Sequence, residues 1–314
     1  MEPLKLLATC KDYIWGGNKL RTEFNQESPL PRLAESWLLS CHKDGPSVIV
    51  NGPFAGRALP EYLEQAGPGV LGSRCAQFDF FPVLIKLIDA KDRLSVQVHP
   101  DDEYAMRVEG EYGKTEMWYV LDAEPGAFLY YGLEKPVAKP EFRAKIDDGT
   151  LLELLHPVTV EKGDVLFIEA GTLHAIGAGL VIAEIQQNSN TTYRVFDYGR
   201  GRPLQVDKAL DVAQLKPAGR GTAPAGPPEQ RDGYEITLLA KCAFFTVHRL
   251  AVQTAARLTA GSDSFHSLLC VEGQGVLRTA TGEMPLRKGD SLFLPAGMGD
   301  YNIAGQCQLL LTQV

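Results

Sequence analysis

Short apolar segments separated by glycine and proline turns dominate this chain of 314 residues. Residues 83–88 read VLIKLI and residues 165–168 read VLFI. Runs of this kind, bounded by turn residues, are typical of β-strands. Many such strands with little helical periodicity indicate an all-β sandwich or barrel. We therefore expect a mostly β protein.

Helical patterns occur in only a few places. Residues 58–65 form one candidate, with a proline in the first turn. Residues 140–146 and 150–155 predict a helical pair, broken at an Asp-Gly step and stopped by Pro157. A further short helix is expected over residues 206–212.

The chain contains an internal repeat. Residues 162–171 read KGDVLFIEAG and residues 288–297 read KGDSLFLPAG, with seven of ten positions identical. Each copy predicts a Gly-Asp turn, a short strand and a second turn. Two copies of one unit suggest two domains of the same architecture. Residues 216–228, rich in proline, glycine and alanine, predict a linker or a long exposed loop between them.

Polar residues interrupt the apolar pattern in the segment LSVQVHPD. Side chains alternate between the faces of a strand, so Ser95, Gln97 and His99 are expected to point the same way. Glu116 follows in YGKTEMWYV, and His174 follows the first copy of the repeat. Two imidazoles, a carboxylate and an amide oxygen suit a divalent transition metal.

The repeat helps to separate residues that the fold needs from residues that chemistry needs. At the offset of 126 positions that aligns the two copies, Asp300 stands opposite His174. Because the fold does not require a histidine there, we expect His174 to have another role. The second copy contains His248 and His266 on different predicted strands, with no obvious third ligand. We therefore expect the C-terminal domain to be free of metal.

Composition and charge narrow the class of protein. The net charge of −8 argues against a nucleic-acid surface, and no apolar run reaches the roughly 18 residues of a membrane span. The N-terminus lacks the pattern of a signal peptide. Six scattered cysteines without a CxxC pair predict a reducing compartment and a cytoplasmic protein. We expect no nucleic-acid or membrane partner, and the sequence leaves the oligomeric state open.

Several motifs resemble the type I mannose-6-phosphate isomerase family of the cupin superfamily, in its short bacterial form. They are LSVQVHPDDEYA, YGKTEMWYVL, GTLHAIGAGLVIAEIQQNSNTTYRVFDYGR and PVLIKLIDA. The resemblance covers nearly the whole chain and is weakest over residues 215–314. Glu169 stands where the cupin motif often has proline, and Gln97 stands where it often has its first histidine. The chain has no room for the large helical insert of the longer relatives.

The resemblance implies two cupin-type jelly-roll β-barrel domains with a few short helices. Residues 1–220 would form the metal-binding catalytic domain, and residues 221–314 a degenerate cupin domain without metal. It also implies zinc-dependent interconversion of mannose 6-phosphate and fructose 6-phosphate, so the expected partner is a phosphorylated hexose.

Site residues follow from the same resemblance. The zinc ligands would be Gln97, His99, Glu116 and His174. The substrate-binding residues would be Ser95, Lys86 and Lys114, and the catalytic residues Arg194, Glu184 and Lys114. The general base stays open between Glu184 and a metal-bound hydroxide.

Three of these residues also stand out by their local sequence. Lys86 interrupts an apolar run, which predicts either an anionic partner or a side chain that reaches solvent from an edge strand. Lys114 precedes Glu116 by two residues, so on a strand both would face the site. Glu184 is a lone carboxylate among apolar residues, which suggests a charged partner or a raised pKa.

Two other functions remain as alternatives. An Fe(II)-dependent cupin oxygenase also uses two histidines and one carboxylate. A non-catalytic sugar-phosphate-sensing protein would need the same substrate-binding residues without the chemistry. The glutamine ligand and the cluster of lysine and serine favour the isomerase, and the chain has no DNA-reading motif that would support a regulator.

Overall fold

The computed structural model describes residues 1–219 and 221–314. Strands contain 42% of the residues and helices 17%, which confirms the expected β class. No helix in the described ranges is long and apolar enough to cross a membrane.

The described residues contain 21 β-strands and five α-helices. The strands, in chain order, are β1 (Leu4–Leu7), β2 (Thr9–Lys11), β3 (Glu35–Leu39), β4 (Val48–Ile49), β5 (Val83–Ala90), β6 (Val96–Val98), β7 (Glu116–Ala123), β8 (Phe128–Leu133), β9 (Leu155–Thr159), β10 (Val165–Ile168), β11 (His174–Ile176), β12 (Leu180–Gln187), β13 (Tyr193–Phe196), β14 (Pro228–Arg231), β15 (Tyr234–Lys241), β16 (Thr246–Val252), β17 (Ala255–Ala260), β18 (His266–Thr279), β19 (Gly282–Arg287), β20 (Ser291–Leu294) and β21 (Gly299–Gln313). The α-helices are α1 (Lys19–Phe24), α2 (Leu59–Ala66), α3 (Asp102–Val108), α4 (Lys139–Asp147) and α5 (Val206–Val212), and short 3₁₀ turns cover Gly52–Phe54, Pro68–Val70, Ser73–Gln77 and Leu151–Leu154.

The chain forms two compact units. The terminal unit contains residues 1–12, 18–87 and 224–314, and the central unit contains residues 13–17 and 88–223. Each unit groups residues that pack against one another. The expected domains, residues 1–220 and 221–314, instead each contain one copy of the repeat. That division stays a prediction.

The terminal unit is built on a sheet of ten antiparallel strands. Its order is β14-β15-β16-β21-β18-β20-β1-β4, with β17 also paired to β21 and β19 to β18. Alternate side chains of β18, such as Leu268 and Cys270, enter a core shared with Leu250, Leu292 and Leu309. The period of two along these strands therefore fixes which face is buried.

The central unit contains the segment β10-β7-β12 and a five-stranded sheet of order β13-β6-β11-β8-β9. Val96 and Val98 of β6 are fully buried and belong to a core cluster with Phe142 of α4 and Ala209 of α5. Gln97, between them, must then face away from that cluster. The alternation read from the sequence thus sets the direction of the candidate ligands.

The helical predictions are confirmed at three places and wrong at one. α2, α4 and α5 lie where the sequence predicted helices. Residues 150–155 do not form a helix of the predicted length: Leu151–Leu154 make a single 3₁₀ turn, and β9 begins at Leu155. Pro157 lies inside β9 and pairs with Tyr130. A bulge between Tyr130 and Leu133 accompanies this pairing, and bulges are among the places where sheets accept proline.

The two copies of the repeat adopt matching local structure. The backbone N–H groups of Glu161 and Arg287 donate to the carboxylates of Asp164 and Asp290, at 2.9 Å in both copies. The following strands are β10 and β20, and three residues after each strand ends the chain has a glycine with positive φ, Gly171 and Gly297. The shared Gly-Asp pair therefore shapes a turn, as the sequence predicted.

The predicted linker, residues 216–228, consists mainly of exposed, irregular chain up to the start of β14. Pro217 forms an isolated β-bridge with Gly132, and Val165 N–H donates to the carbonyl of Thr222 at 3.0 Å. Arg220, which the linker prediction includes, lies outside the described residues.

Candidate metal centre and active site

Three buried side chains of the central unit converge on one point. The ligand-type atoms of His99, Glu116 and His174 all lie within 4.8 Å of one another. His99 Nε2 is 3.8 Å from Glu116 Oε2, and His174 Nε2 is 3.3 Å from Glu116 Oε1. Two imidazole nitrogens and a carboxylate at these separations form a set that can hold a divalent metal.

Gln97 lies directly between two other candidates in the sheet. It pairs with His174 of β11 on one side and with Arg194 of β13 on the other. Directly opposed residues of antiparallel strands share a face, so these three side chains point the same way. The Gln97 amide is 3.4 Å from His174 Nε2, and its oxygen and nitrogen exchange places by rotation of the amide. Gln97 is thus positioned as the fourth predicted ligand.

Backbone carbonyl groups orient both histidines. The Nδ1 atoms of His99 and His174 lie 2.9 Å from the carbonyl oxygens of Thr191 and Thr172, respectively. Because a carbonyl only accepts, each Nδ1 carries the proton and each Nε2 offers a lone pair toward Glu116. Burial lowers the pKa of His174 to about 4, so its imidazole is neutral near pH 7. A neutral imidazole is the form that binds metal.

Lys114 lies between two buried carboxylates. Its Nζ is 2.8 Å from Glu116 Oε2 and 3.5 Å from Glu184 Oε1. The indole N–H of Trp118 donates to the other Glu184 oxygen at 2.9 Å. The strand β7 begins at Glu116, so Lys114 precedes it, yet the side chain still reaches the face that strand alternation predicted. For Glu184, the structure shows the charged partner that the sequence left as one of two options.

Ser95 and Arg194, predicted in different roles, are in direct contact. The Arg194 guanidinium donates from Nε to Ser95 Oγ at 3.1 Å and from Nη1 to the carbonyl of Pro203 at 3.1 Å. Burial, followed by the charge of Arg202, lowers the pKa of Arg194. Ser95 accepts in this bond, so its own hydroxyl hydrogen can donate to a substrate oxygen.

Lys86 lies within β5 in the terminal unit and is buried, 4% exposed. Its Nζ is 3.7 Å from Glu35 Oε2 and 5.0 Å from the centre of the Trp37 ring. The alternative of a side chain that reaches solvent from an edge strand is therefore wrong, and an anionic partner is present. Glu35, which the sequence gave no role, receives a hydrogen bond from Trp37 Nε1 at 2.7 Å. The sequence feature that could have identified Glu35 as the partner of a buried cation is its position as a carboxylate beside apolar residues.

The two histidines of the second copy lie on β16 and β18, as predicted. His266 Nδ1 is 2.7 Å from the Tyr301 hydroxyl, and its Nε2 is 2.8 Å from Gln313 Nε2. Burial lowers the pKa of His266 to about 4. Asp300, opposite His174 in the repeat, accepts a hydrogen bond from the Thr259 hydroxyl at 2.6 Å.

Two family models match the chain. Residues 4–125 match the description "Phosphomannose isomerase type I, catalytic domain", and residues 235–314 match "Mannose-6-phosphate isomerase, cupin domain". The second match and the structural neighbour described next show the cupin fold.

Known proteins resemble the chain over its whole length. Mannose-6-phosphate isomerase of Streptococcus mutans is 38% identical, covering 98% of this chain and 97% of the relative. Mannose-6-phosphate isomerase ManA of Bacillus subtilis is 35% identical, covering 100% and 99%. The crystal structure of the mannose 6-phosphate isomerase from Bacillus subtilis superposes with a TM-score of 0.93 at 36% identity, covering 100% of both chains. The chain belongs to the type I phosphomannose isomerase family.

Proposed function

We propose that this protein is a zinc-dependent isomerase that interconverts mannose 6-phosphate and fructose 6-phosphate. The observation that carries the proposal is the buried cluster of His99, Glu116 and His174, with both Nε2 atoms turned toward the carboxylate. Relatives named mannose-6-phosphate isomerase, 35–38% identical over nearly the full chain, supply the substrate and the reaction.

The donor set fits the proposed metal. His99, His174, Glu116 and the Gln97 amide oxygen would hold it, and Zn²⁺ accepts nitrogen and oxygen ligands of this kind. When bound, zinc would act as a Lewis acid toward the negative charge that develops on the sugar oxygens. Zinc has no redox chemistry of its own, which suits an isomerisation in which only protons move.

Lys114 is proposed to act at the reacting end of the sugar. The reaction removes a proton from C2 of the aldose, delivers one to C1, and moves another between the two oxygens. An ammonium group fixed by two carboxylates is a preorganised positive charge for the enediolate that forms in between. The phosphate is on C6, at the other end of the sugar from C1 and C2, whereas Lys114 Nζ lies 2.8 Å from Glu116, a proposed metal ligand. We therefore favour the catalytic role of Lys114 over its predicted role as a phosphate ligand.

Glu184 is the candidate for the proton transfer at carbon. Its Oε2 accepts from Trp118 and its Oε1 faces Lys114, which fixes the carboxylate in the central unit. Arg194 is proposed to orient the substrate, since its guanidinium is held at Ser95 and Pro203. The variant Glu184→Gln separates proton transfer from positioning, because it keeps the shape and a hydrogen-bond acceptor for Trp118 but cannot serve as the base.

The phosphate is proposed to bind at Ser95, with Lys86 as the second candidate. Ser95 is 3% exposed and its hydroxyl hydrogen remains available, because its oxygen is the acceptor for Arg194. In that role Lys86, whose Nζ lies 3.7 Å from Glu35 Oε2, would exchange this carboxylate for the phosphate.

We also propose that each copy of the repeat belongs to one jelly-roll barrel, divided near residue 220, and that only the first holds metal. The matching turns and strands of the two copies support this. No disulfide joins the cysteines of the described residues, which supports the proposed cytoplasmic location.

A coupled assay and metal analysis test the function. We expect the purified protein to contain zinc rather than iron and to convert mannose 6-phosphate to fructose 6-phosphate, with activity lost on chelation and restored by Zn²⁺. Bound iron with oxygen consumption would instead support the oxygenase, which the two-His, one-carboxylate set also fits. Binding of the sugar phosphate without turnover would support a sensor.

A further inference from the structure

The loop between β10 and β11, Glu169–Thr172, supports two of the proposed metal ligands without contributing one; we call it the ligand loop. The carbonyl of Thr172 receives the Nδ1 proton of His174 at 2.9 Å. The N–H of Gly171 donates to the main-chain carbonyl of His99 at 2.8 Å. A shift of this loop would therefore disturb both histidines.

Gln214 holds the ligand loop from outside through two hydrogen bonds. Its main-chain N–H donates to the carbonyl of Gly171 at 2.7 Å, and its side-chain Nε2 donates to the carbonyl of Ala170 at 2.9 Å. Gln214 is itself exposed. An exposed glutamine that bonds two successive carbonyls fixes a loop rather than merely covering a surface.

Gly171 allows this close approach. Its φ is +86°, and a Cβ at this position would lie 2.8 Å from the carbonyl oxygen of Val212 and 2.9 Å from Gln214 Cγ. Both the backbone conformation and the space therefore require glycine. The close contact between Gln214 and the ligand loop therefore requires glycine at position 171.

The segment that carries Gln214 is anchored to the end of β8 and the chain that follows it. The carbonyl of Leu215 accepts from Val137 N–H at 3.0 Å, and Pro217 forms a bridge with Gly132. Gly132 N–H also donates to the carbonyl of Leu173, next to His174. Residues 214–217, which we call the strap, are therefore fixed independently of the ligand loop that they hold.

We propose that Gln214 is a positioning residue for the metal centre. It fixes the ligand loop, the loop fixes the Thr172 carbonyl, and that carbonyl sets the ring orientation of His174 and directs its Nε2 toward Glu116. Carbonyl partners of this kind strongly affect metal affinity in other metal sites. The inference rests on the proposed metal site and adds a residue that touches neither metal nor substrate.

The test compares metal binding in three variants of the full-length protein. Gln214→Glu is nearly isosteric but cannot donate to the Ala170 carbonyl, and Gln214→Lys keeps a donor of similar reach. Gln77→Ala is the matched control, because Gln77 is also exposed and its Nε2 donates to a main-chain carbonyl, that of Arg74, at 3.0 Å. Zinc affinity is measured by competition with a chromophoric chelator, and the visible spectrum of the Co²⁺-loaded protein reports ligand geometry.

We expect Gln214→Glu to weaken zinc binding about 3- to 10-fold, less than the roughly 10- to 100-fold typical of direct partners of ligands, because it acts one bond further out. Its Co²⁺ spectrum should change, Gln214→Lys should recover most of the affinity, and Gln77→Ala should match wild type. Wild-type affinity and an unchanged Co²⁺ spectrum in Gln214→Glu would overturn the inference. Failure of the wild-type protein to bind either metal would instead overturn the proposed metal site.

Discussion

Lys114 is a buried ammonium group near two carboxylates, and this environment decides its chemistry. Glu116 and Glu184 lie 2.8 and 3.5 Å from its Nζ. The positive charge therefore sits beside the proposed metal ligands, whereas Ser95 is tied to Arg194. Two residues that the sequence assigned to the same phosphate thus have different surroundings.

Removal of the Lys114 charge should affect phosphorylated and unphosphorylated substrates alike. A hydrogen bond to a charged group contributes roughly 1.5–3 kcal/mol, or about a 10- to 150-fold change in catalytic efficiency. We expect Lys114→Met to lose kcat/KM by about this factor on both mannose 6-phosphate and mannose. Ser95→Ala, the comparison, should lose more on mannose 6-phosphate. Steady-state kinetics with both sugars decide the matter: a selective loss for Lys114→Met would restore it as the phosphate ligand.

His174 is expected to be indispensable for the metal. Its side chain is fully buried, and its Nε2 lies 3.3 Å from Glu116. His174→Ala should therefore leave the purified protein with little zinc and little activity, as elemental analysis and the coupled assay would show. His156→Ala, at an exposed histidine, is the control. Stoichiometric zinc with full turnover in His174→Ala would contradict the site.

At the scale of elements, the repeat offers a matched comparison of two turns. Gly163 and Gly289 occupy the same position in equivalent turns, with φ of +101° and +90°. A Cβ at position 163 would meet nothing within 4 Å, whereas one at position 289 would lie 1.7 Å from the carbonyl oxygen of Phe24. The two glycines therefore share a backbone conformation, but only Gly163 has space for a side chain.

Alanine at these two glycines should therefore have unequal effects. Gly163→Ala bears only the strain of a left-handed conformation, on the order of 1–3 kcal/mol. Gly289→Ala adds a backbone clash and should lose at least about 3 kcal/mol of unfolding free energy or fail to fold. Urea denaturation of both variants measures the difference. Equal losses would show that the chain around Phe24 yields to the added methyl group.

At the scale of the whole molecule, a buried neutral histidine links stability to pH. Burial lowers the pKa of His266 in the folded protein to about 4, from the usual 6.5 of a histidine side chain. Between these values the unfolded chain binds the proton and the folded chain does not, so stability falls as pH falls from 6.5 toward 4. The unprotonated state of His266 contributes on the order of 3 kcal/mol to the free energy of unfolding. This contribution is present in full above pH 6.5 and is lost as the pH falls to 4.

His266→Gln should remove this part of the acid sensitivity. The amide can still bond to Tyr301 and Gln313 but does not titrate. Comparing urea midpoints at pH 7 and pH 4.5, we expect the metal-free wild type to lose more stability than the metal-free variant. Turnover of the metal-loaded variant at pH 7 should stay nearly unchanged, because the second copy is proposed to do no chemistry. A large loss of turnover at normal zinc content would contradict that role.

The sequence alone determined what depends on local pattern. Short apolar segments between turn residues predicted the β class, and strand alternation placed Gln97 on the face opposite the core residues Val96 and Val98. Repetition predicted matching turns at Asp164 and Asp290, which the structure confirms. Strand alternation and turn geometry depend on only a few neighbouring residues, so they can be predicted from the sequence.

Only the tertiary structure decided the partners of those residues. The bond from His174 to Thr172 is local, but the contacts of Lys114 with Glu184, and of Gln214 with Ala170, join segments far apart in the chain. Such contacts depend on which strands pair and in which register. The helix expected over residues 150–155 stops after a single 3₁₀ turn at Leu154, where Leu155 begins β9 and pairs with Leu133 of β8. The sequence thus specified which side chains face the site, and the pairing of distant strands specified what each one contacts.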